Sequence, residues 1–431
     1  MSGRPGTAAR EGFRRRTFLA GGAAVGAAAT GLALPRIAGA GQPTDPAADL
    51  DVYVIVVDGM RPDELRADLA PALTALAEGG TRYSSAEAID VAETLPNHTA
   101  MMSGVWPDRS GVPTNKIFDR ELGGTRDLDR PDDLWGTTVL DRVRTELGLT
   151  TASVLSKRYL HGLFGDRASV VWDPAPLIPG TEHAPDQFTV DALLRIVDEH
   201  RPRLTFVNLG DVDRVGHLDF SGPSARIART AAVRNADAQV HRFVTHLRER
   251  GWWERSAVIV LADHSMDWSV PTEIVSLSRA FEADPLLAGR VEIAQNGGAE
   301  TVYHTGEPDG RDAAIARILE IANGTVGVQS ATPVADTRLG PRAGDVVLEC
   351  SPGWRFSDPH VVSNPIPGNH GHGVTLPIPF FVAGGHPALA SGVVVDEPVL
   401  TMDVAPTVAA LFGLDSPEGG WDGRARLHAL R

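Results

Sequence analysis

The sequence predicts an α/β protein with a mostly parallel central sheet and helices on both faces, and two observations support this prediction. Val52–Val57 is an uninterrupted apolar run rich in β-branched residues, which is the pattern of a strand buried on both faces. Segments with a strand pattern then alternate with segments of helical spacing along most of the chain, as crossover connections in a parallel sheet require. The 431 residues are 42% hydrophobic and 22% charged, a composition typical of a globular protein.

The remaining elements follow from the same patterns. Apolar runs of strand length predict strands at Thr151–Leu155, Leu204–Leu209, Ala257–Leu261, Asp345–Cys350 and Pro379–Ala383. Apolar residues at helical spacing predict helices at Pro62–Glu78, Trp135–Leu147, Phe188–His200, Ala225–Arg250, Asp312–Asn323 and Pro398–Phe412.

The pattern loosens between Asp267 and about Pro365, where short strand-like pieces surround one helix: Arg290–Gln295, Glu300–His304 and Val326–Ser330. A structureless loop of that length inside a domain is improbable. We therefore predict an inserted α+β subdomain over residues 267–365, within a main α/β domain formed by residues 51–266 and 366–431.

Charge separates residues 1–40 from the rest of the chain. The formal net charge is −15, although residues 1–40 hold six Arg and a single acidic residue. The body that follows is strongly acidic, which argues against binding to nucleic-acid polymers or anionic membranes. Cys350 is the only cysteine, so disulfides within the chain and multi-cysteine metal sites are excluded.

The N-terminus explains this asymmetry. Arg14-Arg15-Arg16 precedes a mild Ala/Gly-rich apolar run and the small-residue sequence Ala38-Gly39-Ala40, which resembles a twin-arginine export signal over residues 1–40. The alternative is a basic tail before a membrane helix, but the run is short and weakly apolar for a span. We expect export to an extracellular, periplasmic or cell-envelope location, a linker at 41–50, and no membrane span in the mature chain.

Acidic and histidine residues cluster just after the predicted strands. They are Asp58, Asp211, Asp213, His217, Asp263, His264 and, before a later strand, His370 and His372. Taken singly, an Asp after a strand is usually a turn or cap residue. Because ligands bind at the carboxyl edge of open α/β sheets, three Asp and three His gathered there form a nitrogen and oxygen ligand set. Such a set suits two Zn²⁺ ions, and Mn²⁺ fits it less well.

Thr94 is the candidate nucleophile. It opens Thr94-Leu95-Pro96-Asn97-His98, which leads into a helix of small residues. A threonine at a helix N-terminus is normally only a cap. The same position points backbone N–H groups toward an anion, and a hydroxyl activated by a nearby cation would be a nucleophile.

As an ordered set, these motifs resemble the alkaline phosphatase superfamily, in its type I phosphodiesterase/nucleotide pyrophosphatase branch. The resemblance covers about residues 51–265 and 365–425 and rests on the following segments: Val57-Asp58-Gly59, Thr94–His98, Asp213-Arg214-Val215-Gly216-His217, Ala262-Asp263-His264, Gly368-Asn369-His370-Gly371 and Asp403–Thr407.

The resemblance implies roles for these residues. One zinc would be held by Asp58, Thr94, Asp263 and His264, and the other by Asp213, His217 and His370. Thr94 would form a phospho-threonine that water hydrolyses, and Asn115 would donate to a phosphoryl oxygen. Asp211 and His372 are left as supporting or loop residues.

Lys157 belongs to Ser156–Leu160, a segment similar to a lysine-bearing one in phosphonoacetate hydrolases. Taken singly, a loop lysine is normally solvated. By the resemblance, Lys157 would instead bind an anionic part of the substrate.

The function expected is an exported two-zinc hydrolase of small phosphorylated substrates, of the phosphodiester or nucleotide pyrophosphate type. A phosphomonoesterase or phosphonate hydrolase of the same superfamily is the first alternative. A catalytically silent binding protein on this fold is the second, and loss of ligand residues would mark it.

Overall fold

The structure is a computed structural model that describes residues 49–220 and 226–430. The predicted export signal and most of the predicted linker lie outside the described residues. Within the described part of the chain, no helix combines the length and the apolar character needed to cross a membrane.

The strands of the described chain are two to seven residues long. They are β1 Asp51–Val57, β2 Thr81–Tyr83, β3 Ala86–Glu87, β4 Lys116–Asp119, β5 Gly124–Asp127, β6 Thr151–Leu155, β7 Val170–Val171, β8 Leu204–Leu209, β9 Ser256–Leu261, β10 Asp267–Trp268, β11 Ile274–Val275, β12 Val291–Asn296, β13 Ala299–His304, β14 Val328–Pro333, β15 Val346–Cys350, β16 Arg355–Phe356, β17 Gly368–Asn369, β18 Phe380–Gly384, β19 Val393–Val395 and β20 Val399–Leu400.

The α-helices differ widely in length. They are α1 Pro71–Gly79, α2 Thr94–Ser103, α3 Pro107–Ser110, α4 Val139–Glu146, α5 Arg158–Phe164, α6 Asp186–His200, α7 Asp211–His217, α8 Ile227–Glu249, α9 Ser278–Ala283, α10 Arg311–Asn323 and α11 Val404–Leu411.

The central sheet has eight strands in the order β19-β2-β18-β9-β1-β8-β6-β7, with helices on both sides. Its middle strand β1 pairs in parallel with β8 and β9, and every residue of β1, β8 and β9 is buried. The predicted mostly parallel α/β sheet is therefore confirmed. The exception is β18, which runs antiparallel to both of its neighbours.

A second sheet of four antiparallel strands, in the order β12-β13-β15-β14, lies within residues 267–365. It has its own apolar cluster, in which Val302, Leu348 and Phe356 pack with Phe281 of α9 and Ile318 of α10. The subdomain boundaries at 267 and 365 stay a prediction.

Three predicted helices are too long. The segment predicted as Pro62–Glu78 is helical only at a single 3₁₀ turn, Pro62–Glu64, and from Pro71 onward, because proline fits the first turn of a helix and disfavours helical backbone in the residue before it. The helix predicted from Trp135 begins at Val139, where Thr138 caps it by accepting a hydrogen bond from the Asp141 N–H. The C-terminal segment begins as strand β20 before α11.

Candidate active site

The polar residues that follow the central strands reach the same edge of the sheet because those strands end in register. Val57 pairs with Leu209, and Val56 pairs with Leu261. The residues that come next along the chain therefore emerge together: Asp58 after β1, the start of α7 after β8, Asp263-His264 after β9 and Lys157 after β6. Helix α7 places Asp213 and His217 four residues apart, on one helix face.

The structure brings together all seven residues to which the family resemblance assigns metal binding. His264 connects the group, because its Nε2 lies 3.8 Å from Asp58 Oδ1, 3.3 Å from Asp263 Oδ2 and 3.3 Å from Thr94 Oγ1. Its ring stacks on that of His370 at 3.7 Å between centroids. Asp213 Oδ1 lies 3.3 Å from His217 Nε2 and 3.9 Å from His370 Nε2.

The three histidines share one hydrogen-bonding pattern. In each, Nδ1 is hydrogen-bonded to a backbone carbonyl: His217 to Gly368 at 2.8 Å, His264 to Ser265 at 2.9 Å and His370 to Ala92 at 3.1 Å. A carbonyl can only accept, so each Nδ1 carries the proton and each Nε2 can present its lone pair to the site. Histidines that bind metal are oriented in this way.

Among the proposed metal ligands, two buried carboxylate oxygens lack a hydrogen-bond donor. They are Asp213 Oδ1 and Asp263 Oδ2, and each lies 3.3 Å from a histidine Nε2. A carboxylate oxygen facing an imidazole nitrogen needs a proton or a cation between them. Two overlapping groups of these atoms lie close enough together to hold an ion: Asp58, Asp263 and His264, and Asp213, His264 and His370. The donor set therefore fits divalent metal ions with mixed nitrogen and oxygen preference.

The site's electrostatics follow from this crowding of buried charges. Burial, reinforced by the neighbouring Asp263, raises the pKa of Asp58 to about 6. Burial alone would raise the pKa of Asp213. The nearby Lys157 and His217 have the larger, opposite effect, and they hold the pKa of Asp213 well below its usual range. Burial lowers the pKa of His370 well below its usual value, so its imidazole is neutral, as a metal ligand must be.

Thr94 is the first residue of α2, and the position before the helix, the N-cap, is occupied by Glu93. Thr94 Oγ1 instead faces the site, 3.2 Å from Lys157 Nζ and 3.3 Å from His264 Nε2. This geometry disfavours the helix-cap explanation of Thr94.

Asn115 is placed against the same turn. Its Oδ1 accepts a hydrogen bond from the Leu95 N–H at 2.8 Å, and its own N–H donates to Glu93 Oε2 at 2.6 Å. Burial raises the pKa of Glu93 to about 8. Because Oδ1 is engaged by the backbone next to Thr94, Nδ2 is the amide group that remains as a donor.

Two buried side chains that the sequence analysis assigned no role hold Asp58 in place. Asn208, at the end of β8, donates from Nδ2 to Asp58 Oδ2 at 2.7 Å and to His98 Nε2 at 2.9 Å. His98 Nδ1 is in turn hydrogen-bonded to the Thr94 carbonyl at 2.9 Å. A polar Asn near the end of a mostly apolar strand was the available signal for this support.

The turn after β1 is fixed by Gly59 and Arg229. Gly59 has a φ of +73°, and a Cβ there would lie 3.0 Å from Asp213 Cβ, so only glycine suits the position. The buried Arg229 donates to the Gly59 carbonyl at 2.6 Å, to the Val212 carbonyl at 2.9 Å and to both carboxylate oxygens of Glu64. It thereby ties α8 to the two segments that carry Asp58 and Asp213.

Lys157 is fully buried, so the explanation as a solvated loop lysine is wrong. Its Nζ lies 2.8 Å from Asp58 Oδ1 and 2.8 Å from Asp213 Oδ2. Beside it are Tyr159, whose ring centroid is 5.7 Å from Nζ, and His183, whose ring is 6.1 Å from that of Tyr159. Neither residue was singled out from the sequence.

Asp211 and His372 lie outside both ligand groups. Asp211 accepts hydrogen bonds from the Asp186 N–H at 3.1 Å and from Arg214 at 2.8 Å. His372 Nε2 contacts Asp267 Oδ2 at 3.1 Å. Both make supporting contacts, in line with the sequence analysis.

Residues 52–372 match the family model described as type I phosphodiesterase/nucleotide pyrophosphatase. The chain belongs to this family. Curated members of the family are distant in sequence. An uncharacterized pyrophosphatase/phosphodiesterase of Schizosaccharomyces pombe is 22% identical over 53% of this chain, so the aligned part is about half (47%) of that protein's length. A bis(5'-adenosyl)-triphosphatase of Bos taurus is 21% identical over 87% of this chain and 81% of its own length.

Solved structures of family members show the same alkaline phosphatase-like fold. Murine ectonucleotide pyrophosphatase/phosphodiesterase 5 superposes with a TM-score of 0.68 at 16% identity, over 85% of this chain and 95% of that one. An inactive threonine-to-alanine variant of the same murine protein, in complex with AMP, superposes with a TM-score of 0.68 at 15% identity. The superposition covers 88% of this chain and 98% of that one.

Proposed function

We propose that this protein is an exported, two-zinc hydrolase of phosphoric esters that acts through a phospho-threonine on Thr94. The observation that carries the proposal is the shared hydrogen-bonding pattern of His217, His264 and His370, whose Nε2 atoms face Asp213 Oδ1 and Asp263 Oδ2. Family membership supports phosphoric esters as the substrate class.

The ligand sets are those that the resemblance implies. Asp58, Thr94, Asp263 and His264 would hold one ion, and Asp213, His217 and His370 the other. The ions, when bound, would lower the pKa of the threonine hydroxyl and stabilise the negative charge that develops on the phosphoryl and leaving oxygens. The carboxylate and imidazole donors favour zinc over magnesium, which prefers oxygen ligands only.

The chain's own residues would bind the substrate and form the new bond. Asn115 Nδ2 would donate to a non-bridging phosphoryl oxygen, and Lys157 would place a positive charge beside Thr94 Oγ1. The threonine oxygen would attack phosphorus and the bond to the leaving oxygen would break. Water would then cleave the threonine ester and release the phosphorylated product.

Nucleotides are the substrates we favour, because the murine neighbour binds AMP and the bovine relative is named for a dinucleoside triphosphate. A threonine-to-alanine change gives the inactive form of the murine protein, which supports a threonine nucleophile. The buried ammonium of Lys157 favours substrates with additional negative charge, so phosphomonoesters and phosphonates are the second candidate class.

The test is a comparison of rates on four substrates: a bis(nitrophenyl) phosphate diester, a nitrophenyl phosphate monoester, a dinucleoside polyphosphate and phosphonoacetate. We expect zinc-dependent turnover of the diester and the dinucleotide well above that of a Thr94→Ala control. Wild-type rates equal to those of Thr94→Ala on every substrate would contradict hydrolase function and favour a silent binding protein.

A further inference from the structure

Lys157 is chemically unusual in this chain. It is one of two lysines, against 38 arginines, and it is fully buried at the centre of the candidate site. Its Nζ lies 2.8 Å from Asp58 Oδ1, 2.8 Å from Asp213 Oδ2 and 3.2 Å from Thr94 Oγ1. An ammonium has three donors on a compact charge, whereas a planar guanidinium would not fit three acceptors arranged around one point.

The two aspartates offer Lys157 different oxygens. At Asp213, Lys157 contacts Oδ2, while Oδ1 faces His217 and His370 and accepts no hydrogen bond. An ion bound by Asp213, His217 and His370 can therefore use Oδ1 without displacing Lys157.

At Asp58, by contrast, Lys157 contacts the oxygen that an ion would need. Asn208 holds Oδ2 at 2.7 Å, and the remaining oxygen, Oδ1, is the one that Lys157 contacts and the one nearest His264 Nε2. An ion bound by Asp58, Asp263 and His264 must take the oxygen that Lys157 occupies. Two cations cannot share that buried oxygen without strong repulsion.

We propose that Lys157 is a built-in competitor for one of the two metal ions, so that the Asp213–His217–His370 group fills first and the Asp58–Asp263–His264 group fills only by displacing the ammonium from Asp58. This inference rests on the metal assignment of the proposed function and adds an order of binding to it. The free metal concentration then decides whether Lys157 or a second ion is the cation at Asp58.

The experiment is a Zn²⁺ titration of the metal-free full chain against a colorimetric chelator, which resolves stepwise dissociation constants. Lys157→Met removes the charge and keeps the chain length. Lys116→Met is the matched control, because it changes the only other lysine, whose half-exposed side chain lies 4.0 Å from Asp127. We expect Lys157→Met to tighten the weaker step about tenfold or more and the stronger step far less, and Lys116→Met to leave both steps unchanged.

Combining Lys157→Met with each of two further substitutions shows which group of residues is responsible for each Zn²⁺-binding step. His217→Ala impairs one group and Asp58→Asn impairs the other, so the Lys157→Met effect should persist with His217→Ala and vanish with Asp58→Asn. Equal tightening of both steps in Lys157→Met would show a general field effect and overturn the proposal, as would no tightening at all. Lys157→Gln, which retains a polar group, carries the same prediction if Lys157→Met fails to fold.

The titration also separates this inference from the proposed function. A wild-type chain that binds no Zn²⁺ overturns both. A wild-type chain that binds two ions with Lys157→Met showing unchanged constants overturns only the role of Lys157.

Discussion

At the Asn115 side chain, the two ends of the amide have different tasks. Oδ1 accepts a hydrogen bond from the Leu95 N–H at 2.8 Å, which fixes the side chain, and in the proposed mechanism Nδ2 donates to a phosphoryl oxygen. Asn115→Asp keeps the shape and the acceptor but replaces the donor with a negatively charged oxygen. We expect turnover to fall about 10²-fold or more, as for the loss of one donor to a developing oxyanion. Bound zinc and melting temperature, measured on the same sample, should change little, and a variant with wild-type turnover would exclude Asn115 from substrate binding.

A second residue-scale prediction concerns Glu300 in β13. Glu300 is fully buried, and burial together with the nearby Asp358 raises its pKa well above the usual range. The carboxyl is therefore protonated in the folded protein at pH values where the unfolded chain has ionised it. Stability from this group is complete below about pH 4.5 and is lost as the pH rises toward the folded pKa.

Glu300→Gln removes this titration while keeping a neutral side chain of similar shape. Above about pH 4.5, we expect the unfolding free energy of Glu300→Gln to increase relative to that of the wild type as the pH rises. The difference between the two should change by at most about 1.4 kcal/mol per pH unit. Denaturant unfolding at several pH values measures it, with exposed Glu292→Gln on β12 as the control. A difference between Glu300→Gln and wild type that does not vary with pH would contradict the assignment.

Some residues of the candidate site could be predicted from the sequence and others could not. Asp58, Asp213, Asp263 and His264 could be selected because they follow apolar strands whose ends must meet. The burial of Lys157 could not be predicted in this way, because its partners Asp58 and Asp213 are 99 and 56 residues away and a loop lysine is normally solvated.

At the scale of elements, α8 positions the site through Arg229. Its guanidinium joins the Gly59 and Val212 carbonyls to Glu64. Arg229→Lys keeps the charge but cannot reach all of these acceptors. We expect it to lower the free energy of unfolding by about 2–3 kcal/mol, since buried acceptors are left unpaired. Arg234→Lys, at an exposed position on the same helix, should stay within about 0.5 kcal/mol of wild type. Equal effects of the two substitutions, measured by denaturant unfolding, would contradict this role.

An element could be predicted from the sequence when the residues of that element alone determine it. Strands β6 and β8 have the bounds predicted from the sequence, and β9 differs by one residue, because a continuous apolar run is itself the requirement for a strand buried on both faces. The antiparallel direction of β18 was not predictable from its pattern, since direction depends on the path of the connecting chain. The delayed start of α1 had a local cause in Pro71 that helical spacing alone did not reveal.

At the scale of the whole molecule, the site joins segments from Asp58 to His370, and divalent ions would link them. Removal of metal with a strong chelator should therefore abolish hydrolysis and also lower the melting temperature, because a ligand that binds only the folded state stabilises it. Added Zn²⁺ should restore both properties better than Mg²⁺, which favours all-oxygen sites. Full activity in chelator, or restoration by Mg²⁺ alone, would contradict a zinc site of mixed ligands.

The central claim is that Thr94 forms the new bond to phosphorus at a metal site that survives its removal. Turnover of the preferred substrate, bound zinc and melting temperature should be measured together on purified wild type, Thr94→Ala and Thr94→Ser. We predict that Thr94→Ala loses nearly all turnover while keeping its fold and most of its zinc, because the hydroxyl is one ligand among several but the only attacking oxygen. Thr94→Ser should keep measurable turnover, since it retains a hydroxyl. A Thr94→Ala variant that is less stable by about 1 kcal/mol yet turns over at the wild-type rate would mean that Thr94 only supports the start of the helix, and the account would be wrong.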